Sequence, residues 1–357
     1  MLQTRSTRFV AVNAILPLHL RYCSISPLCT ELPSASTAQA AFVRFCCALL
    51  QHRLWYPCGM THDRNTIPAN YRGRFAPSPT GPLHFGSLVA AVGSYLEARS
   101  RQGEWLVRIE NLDPPREVAG AAREILATLE ALGMEWDGEV IYQSRRNEVY
   151  QAALAALEQQ GLLYPCACSR KEIADSSIIG IDGPVYLGTC RGGLPAGKRS
   201  STALRVLTHD DPIEFRDALR GLIRQQLTSA TGDFVLRRAD GIYAYQLAAV
   251  VDDAAQGVTH VVRGVDLLDS TPRQIYLQQL LGYSTPVYMH LPVVTNKQGE
   301  KLSKQTQAAA VDVSRPVAQL VEALRFLGQT PPVELIESSI ASFWQWALEN
   351  WQPQKIP

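Results

Sequence analysis

The sequence lacks the features that would assign it to a membrane or to a strongly charged class of protein. No apolar run in it reaches the roughly 18 residues that a membrane-spanning helix needs. An excess of one charge is also missing, because 34 basic and 33 acidic residues leave a formal net charge of +1. No general basic field is available to attract nucleic acid, so any contact with RNA must come from a local patch.

A disulfide framework is also missing, although cysteine itself is not. The cysteines are Cys23, Cys29, Cys46, Cys47, Cys58, Cys166, Cys168 and Cys190. A framework would not leave five of the eight before the first regular segment. We therefore expect a reduced, cytoplasmic protein in which the last three cysteines have a metal-binding role.

Residues 1–59 contain almost no acidic side chains. Their only acid is Glu31, and their basic residues are all arginine. Such a composition fits an organelle targeting peptide. Met60 lies shortly before the first regular strand, however, and can equally be the true start. We favour Met60 and interpret residues 1–70 as a poorly organised leader.

What is present is enough apolar sequence, 46% of 357 residues, for one large α/β core. From Tyr71 onward, strand and helix patterns alternate, which is typical of a parallel sheet with crossover helices. Strands are predicted at Gly73–Ala76, Trp105–Glu110, Glu139–Gln143, Asp233–Arg238, Val258–Gly264 and Val287–Val294. Helices are predicted at about His84–Arg101 and Glu117–Leu132, before Gly161, and after Arg315 and Glu334. A stretch rich in Gly, Pro, Cys and Arg interrupts the alternation at residues 165–231.

The segment from Arg74 to Ser87 places a strand, a proline-stiffened turn and a helix start close together. A helix N-terminus presents unpaired N–H groups to a phosphate. Gly81 and Gly86 allow a nucleotide to approach the backbone, and His84 adds a donor. On its own, this pattern is better explained as an ordinary strand-to-helix turn with a capping histidine.

A second motif, Lys301-Leu-Ser-Lys304-Gln305, follows the last predicted strand. Two lysines here can reach the β- and γ-phosphates of ATP and stabilise charge that develops at its α-phosphate. Together the two motifs resemble the HIGH and KMSKS signatures of class I aminoacyl-tRNA synthetases. The run Leu106–Arg116 and the extended match Arg74–Gly86 resemble the glutamyl branch. Within that branch, His84-Phe-Gly-Ser and Lys-Leu-Ser-Lys-Gln resemble the glutamyl-Q tRNA(Asp) synthetase family.

The resemblance implies a Rossmann-like parallel-sheet catalytic domain with an inserted zinc-binding subdomain and a short helical C-terminal stem. The implied division is a first catalytic half at 71–164, the insertion at 165–231, a second half at 232–310 and the stem at 311–357. The implied reaction is ATP-dependent activation of L-glutamate and its transfer to the queuosine base of tRNA(Asp). ATP would be used with Mg²⁺.

The resemblance also implies functional residues. The glutamate-binding residues would be Arg74, Phe75, Ala76, Pro77, Ser78, Glu110, Tyr245 and Arg263, with Glu110 at the substrate ammonium. The ATP-binding residues would be Pro77, Gly81, His84, Gly86, Ser87 and Lys304. The catalytic residues would be His84, Lys301 and Lys304. A carboxylate substrate agrees with arginine, because its planar fork can hold both oxygens.

Cys166, Cys168 and Cys190 lie close together in the insertion and predict a structural zinc. A tetrahedral site needs a fourth ligand, and the family resemblance assigns this position to Tyr186. The alternative is a reduced cysteine cluster without metal.

Two other functions remain open from the sequence. One is a truncated glutamyl-tRNA synthetase that charges a tRNA 3′ end, although only residues 305–357 follow Lys304 to read an anticodon. The other is a catalytically inactive RNA-binding paralogue, which ATP–pyrophosphate exchange would distinguish. The oligomeric state is not determined by the sequence, and we expect a monomer.

Overall fold

A computed structural model of the chain describes residues 71–176, 178–181, 183–195, 197, 201–295 and 309–357. The leader at 1–70 and the lysine motif with Lys301 and Lys304 lie outside these residues.

The first half of the catalytic domain is a small parallel sheet with helical crossovers. Its strands are β1 (Arg72–Phe75), β2 (Glu104–Ile109) and β3 (Ile141–Tyr142), in the order β1-β2-β3. Its helices are α1 (Phe85–Arg99), α2 (Ala121–Ala131) and α3 (Asn147–Gln159). Both β-pairings are parallel. Gly133, with φ +68°, ends the α2 segment as the sequence predicts.

The second half continues the same architecture. Helix α6 (Tyr245–Ala255) precedes β11 (His260–Gly264), and α7 (Thr271–Leu281) precedes β12 (Val287–Leu291). Strands β11 and β12 pair in parallel. The Thr259 amide donates a hydrogen bond to the Arg72 carbonyl at 2.9 Å, so β11 begins beside β1. The α/β prediction is confirmed.

The insertion is built on its own antiparallel sheet. Its strands are β4 (Leu163–Cys166), β7 (Ala203–Val206) and β10 (Val235–Arg237), with β7 in the middle. The smaller elements are α4 (Arg170–Ser176), α5 (Leu227–Ala230), β5 (Ile179–Gly180) and β6 (Gly183–Pro184). The prediction that Asp233–Arg238 resumes the parallel sheet is therefore wrong. A short buried strand has the same local pattern in either kind of sheet, so the sequence does not identify its partner.

Strands β4 to β7 were not predicted, and neither were the two strands that follow β7. β8 (Ile213–Asp217) and β9 (Gly221–Gln225) form a hairpin within the predicted insertion. The end of β8, at Asp217, pairs in parallel with β12 at Tyr288. The chain thus returns to the catalytic sheet before the insertion is complete.

The C-terminal helices cover the first half of the domain. They are α8 (Pro316–Phe326) and α9 (Ile340–Glu349), as expected after Arg315 and Glu334. The Trp344 indole of α9 donates to the Leu132 carbonyl at 2.8 Å and fixes α9 to the end of α2. Within the described parts of the chain, every helix is too short or too polar to cross a membrane.

Candidate active site

Three of the predicted substrate residues lie at or near the carboxyl ends of parallel strands, and the fourth begins a helix. Arg74 lies in β1, Glu110 directly follows β2, Arg263 lies near the end of β11, and Tyr245 begins α6. Parallel strands end at one edge of a sheet, and ligands of open α/β folds bind beyond that edge. The structure thus brings together residues that are far apart in the sequence.

The turn from β1 to α1 has a fixed backbone. The Glu110 amide donates to the Pro77 carbonyl at 3.0 Å, so the turn is tied to the end of β2. Gly81 has φ +139°, a conformation that side chains disfavour. The Phe75 side chain is buried and lies parallel to Trp105, with ring centroids 6.1 Å apart. Ala76 and Ser78 are more accessible.

His84 is the N-cap of α1. Its Nδ1 accepts a hydrogen bond from the Ser87 amide at 3.3 Å, and the Ser87 hydroxyl lies 3.1 Å from Nε2. The first turn, which includes Gly86 and Ser87, contains no acidic residue. A helix N-terminus of this kind favours a bound anion such as a phosphate.

Arg74 is buried against Asp253 of α6. Its Nε and Nη2 donate to the two oxygens of Asp253 at 3.1 and 3.4 Å. Arg108 of β2 donates to the same carboxylate at 2.6 Å and to Glu110 at 3.1 Å. Burial would raise the pKa of Asp253, but Arg108 and Arg74 outweigh burial and hold this pKa below its ordinary value. The sequence interpretation missed Asp253 and Arg108, although an Asp-Asp pair in an apolar helix was a visible signal.

Glu110 has the opposite balance. Burial raises its pKa above the ordinary value, despite the nearby charges of Arg108 and Arg74. A buried carboxylate whose negative charge is only partly compensated attracts a cation. The substrate ammonium assigned to Glu110 would be such a cation.

Arg263 is a buried cation held by neutral groups. Its Nε donates to His290 Nε2 at 3.1 Å, and its Nη1 donates to the Tyr245 hydroxyl at 3.3 Å. Its Nη2 donates to Thr271 Oγ1 at 2.7 Å and to the Leu267 carbonyl at 3.4 Å. Among the described residues, no carboxylate lies within ion-pair distance of this guanidinium. Buried charges are normally paired, so the arrangement suits an anionic ligand.

The Tyr245 phenol lies near the charged groups of Glu110, Arg74 and Arg263. Burial raises the pKa of its phenol, Arg263 and Arg74 act to lower it, and Glu110 acts to raise it. Because its oxygen accepts from Arg263, the hydroxyl proton can be donated to a ligand carboxylate. One acid and two arginines thus lie near one partly buried hydroxyl, an arrangement that suits a ligand with both an ammonium and a carboxylate group.

The three cysteines of the insertion converge on Tyr186. Their sulfur atoms lie within 4.8 Å of one another, and Cys168 and Cys190 are 3.6 Å apart. The Tyr186 hydroxyl lies 3.3 Å from Cys166 Sγ and 4.0 Å from Cys168 Sγ. Zn–S bonds of about 2.3 Å in a tetrahedron separate two sulfurs by about 3.8 Å. The cysteine trio can therefore hold a metal ion, and Tyr186 is placed to complete the set.

The comparisons with known proteins identify the family of the chain. Residues 70–332 match the class I tRNA synthetases (E and Q), catalytic domain. A glutamyl-Q tRNA(Asp) synthetase from Dechloromonas aromatica (strain RCB) is 62% identical over 289 residues, which are 80% of this chain and 96% of that protein. Its counterpart from Chromobacterium violaceum is 58% identical over 289 residues, 81% of this chain and 96% of that protein.

A solved structure has the same fold. The glutamate tRNA ligase from Elizabethkingia meningosepticum, in complex with its amino acid, matches with a TM-score of 0.67. Its sequence is 24% identical, and the match covers 80% of this chain and 66% of the ligase. At that identity the likeness concerns the fold alone.

Proposed function

The chain belongs to the glutamate and glutamine group of class I tRNA synthetases and, within it, to the glutamyl-Q tRNA(Asp) synthetases, and we propose that it attaches glutamate to the queuosine base of tRNA(Asp). Membership makes it a ligase-type enzyme that uses ATP to activate glutamate. The choice of queuosine as the acceptor base is our proposal. It is supported by the names of relatives of which the chain covers almost the whole length.

The observation that supports an amino-acid substrate is that one acid, Glu110, and one arginine, Arg263, both lie near the Tyr245 phenol without forming an ion pair with each other. In our proposal Glu110 receives the substrate ammonium, and Arg263 and Tyr245 receive a substrate carboxylate. Arg74 is engaged by Asp253, so it contributes positive charge from behind the pocket. Ala76 and Ser78 would form its lip, and the buried residues Phe75 and Pro77 would support that lip from below.

In the first step, the α-carboxylate of glutamate attacks the α-phosphate of ATP, and pyrophosphate leaves. The protein supplies no nucleophile, so its contribution is positioning and charge stabilisation. Pro77, Gly81, His84, Gly86 and Ser87 would place the phosphates at the start of α1. Mg²⁺ would accompany ATP. Lys301 and Lys304, which lie outside the described residues, would stabilise the charge that develops at the phosphates.

In the second step, a hydroxyl of the queuosine cyclopentenediol attacks the mixed anhydride, and AMP leaves. The diol resembles the ribose diol of a tRNA 3′ end, so the same pocket can accept either. Anticodon bases can be splayed out of a loop and stacked on aromatic or arginine side chains. This proposal requires a local RNA-binding surface and not a strongly basic protein.

We further propose that Cys166, Cys168, Cys190 and Tyr186 hold a structural zinc ion. The Arg205 guanidinium lies 3.9 Å from the centre of the Tyr186 ring, and its charge would compensate an anionic ligand set. When bound, the metal would crosslink the loops that surround it. Because these cysteines are free thiols, a reducing cytoplasm suits the site.

The deciding experiment locates the glutamyl group in the RNA. The enzyme is incubated with ATP, labelled glutamate and tRNA(Asp) that carries queuosine, and nuclease fragments are then separated. We expect the label in the anticodon fragment, also when the 3′-terminal nucleotides have been trimmed away. As a matched control, tRNA(Asp) from cells that cannot make queuosine should stay unlabelled.

Two results would contradict the proposal. Label at the 3′ end of tRNA(Glu) would identify an ordinary glutamyl-tRNA synthetase. Absence of glutamate-dependent ATP–pyrophosphate exchange, with and without tRNA, would identify an inactive paralogue. Exchange without tRNA is the result that we expect, because both small-molecule sites lie in the catalytic domain.

A further inference from the structure

A buried aspartate and histidine stand directly behind Arg263. Asp217 ends β8, and His290 lies in β12 beside it. His290 Nδ1 is 2.6 Å from Asp217 Oδ2, and His290 Nε2 accepts from Arg263 Nε at 3.1 Å. Both side chains are fully buried. Three side chains from three strands therefore form one chain of hydrogen bonds that ends at the substrate pocket.

The partners determine which nitrogen of His290 carries the proton. Arg263 has only donors, so Nε2 must be the acceptor, and Nδ1 must donate to Asp217. Burial and the neighbouring Arg263 lower the pKa of His290, although Asp217 opposes them, and the ring stays neutral. Burial would raise the pKa of Asp217, but hydrogen bonds from His290 and two backbone amides hold it below its ordinary value. The carboxylate is therefore a permanent acceptor for Nδ1–H.

This arrangement accounts for the orientation of Arg263. A guanidinium has five N–H donors, and four hydrogen bonds to His290, Tyr245, Thr271 and Leu267 engage four of them within the described residues. The remaining N–H belongs to Nη1, the nitrogen that also contacts Tyr245. Because the His290 bond fixes Nε, it sets the rotation of the planar group and the direction of that last donor.

We propose that Asp217 and His290 are positioning residues that orient Arg263 toward a carboxylate of glutamate. This inference rests on the proposed glutamate site. Asp217 acts through His290 and does not touch the substrate. It also means that the β8–β9 hairpin, which lies within the predicted insertion, takes part in forming the amino-acid pocket.

Asp217→Asn tests the proposal with little change of shape. The retained Oδ1 can still accept from the Leu219 and Arg220 amides, which are 3.0 and 2.9 Å away. The new amide donates to Nδ1, so the proton moves to Nε2 and faces the donor of Arg263. A comparable exchange behind a catalytic histidine is known to act through the wrong tautomer. We expect the KM for glutamate in ATP–pyrophosphate exchange to rise about tenfold to hundredfold, with the KM for ATP unchanged.

A spectroscopic measurement tests the tautomer directly. In protein labelled with ¹⁵N-histidine, the His290 signal, assigned by its loss in His290→Gln, should report Nδ1–H in the native protein and Nε2–H in Asp217→Asn. The side-chain oxygen that His290→Gln introduces can accept from Arg263 whether Asp217 is present or replaced. Adding Asp217→Asn to His290→Gln should therefore change the KM for glutamate less than about twofold, since coupled residues are not additive.

Trp344→Phe is the control for loss of stability alone. It removes a buried hydrogen bond at the distant α2–α9 contact and should leave both KM values unchanged. A swapped tautomer with an unchanged KM for glutamate in Asp217→Asn would overturn the positioning role. A rise of both KM values together would identify a merely structural role. If the native protein shows no glutamate-dependent exchange, the proposed function fails, and the substrate assigned to this relay fails with it.

Discussion

Replacing Arg263 with lysine separates the charge of this residue from its geometry. Lysine keeps the positive charge, but its ammonium cannot reproduce the fork that contacts His290, Tyr245 and Thr271 together. The substrate carboxylate would then meet a cation without a fixed donor direction. Arg263→Lys should therefore weaken glutamate binding without affecting ATP.

The expected size follows from one hydrogen bond. A hydrogen bond to a charged group contributes about 1.5–3 kcal/mol. Losing about 2 kcal/mol corresponds to a rise of about 30-fold in the KM for glutamate, at 1.4 kcal/mol for each factor of ten. The three acceptors left without their donor would also lower the free energy of unfolding, by about 1 kcal/mol each. Thermal unfolding measures this second effect separately.

The assay is glutamate-dependent ATP–pyrophosphate exchange at varied glutamate and then at varied ATP. Arg220→Lys is the matched control, because Arg220 donates to the His290 carbonyl at 3.0 Å and contributes no group to the pocket. We expect its KM for glutamate to change less than about twofold. An unchanged KM for glutamate in Arg263→Lys would refute the assignment of Arg263 to the substrate.

Three further predictions concern Asp253, Glu110 and the cysteine cluster. Asp253→Asn removes the carboxylate that holds Arg74 and leaves Arg108 with Glu110 and Asp252 alone, and it should lower the free energy of unfolding by about 3–5 kcal/mol, as measured in denaturant. Folding lowers the pKa of Asp253. The contribution of Asp253 to the free energy of unfolding is therefore complete above the ordinary carboxyl pKa and is lost as the pH falls through the lowered pKa of the folded state. A protein whose free energy of unfolding rises on acidification would contradict this. The raised pKa of Glu110 should make kcat/KM for glutamate fall on acidification at a higher pH than an exposed carboxyl would give. Glu110→Gln should be weakly active at every pH and should not show this fall in kcat/KM. Purified protein should contain one zinc per chain by elemental analysis; Cys190→Ser should lose the metal and Ser169→Ala should retain it, whereas a metal-free native protein would remove the site.

The sequence predicted most of what depends on neighbouring residues. The β1 turn with His84 at the start of α1, the stop of α2 before Gly133, and the spacing of the three cysteines were all visible in short windows. Periodicity, turn glycines and capping residues act within a few positions of the chain, so they can be interpreted without knowing the fold. The α/β class and the family therefore followed from the sequence.

The tertiary structure decided which distant groups meet. Asp253 holds Arg74 across 179 positions of sequence, and His290 holds Arg263 across 27. The antiparallel partner of β10 and the return of β8 to the catalytic sheet were decided in the same way. An arginine has the same local pattern whether it meets a carboxylate or a neutral acceptor. Burial and the partners that the fold supplies therefore decide which arginine has no carboxylate to compensate its charge and can bind an anionic substrate.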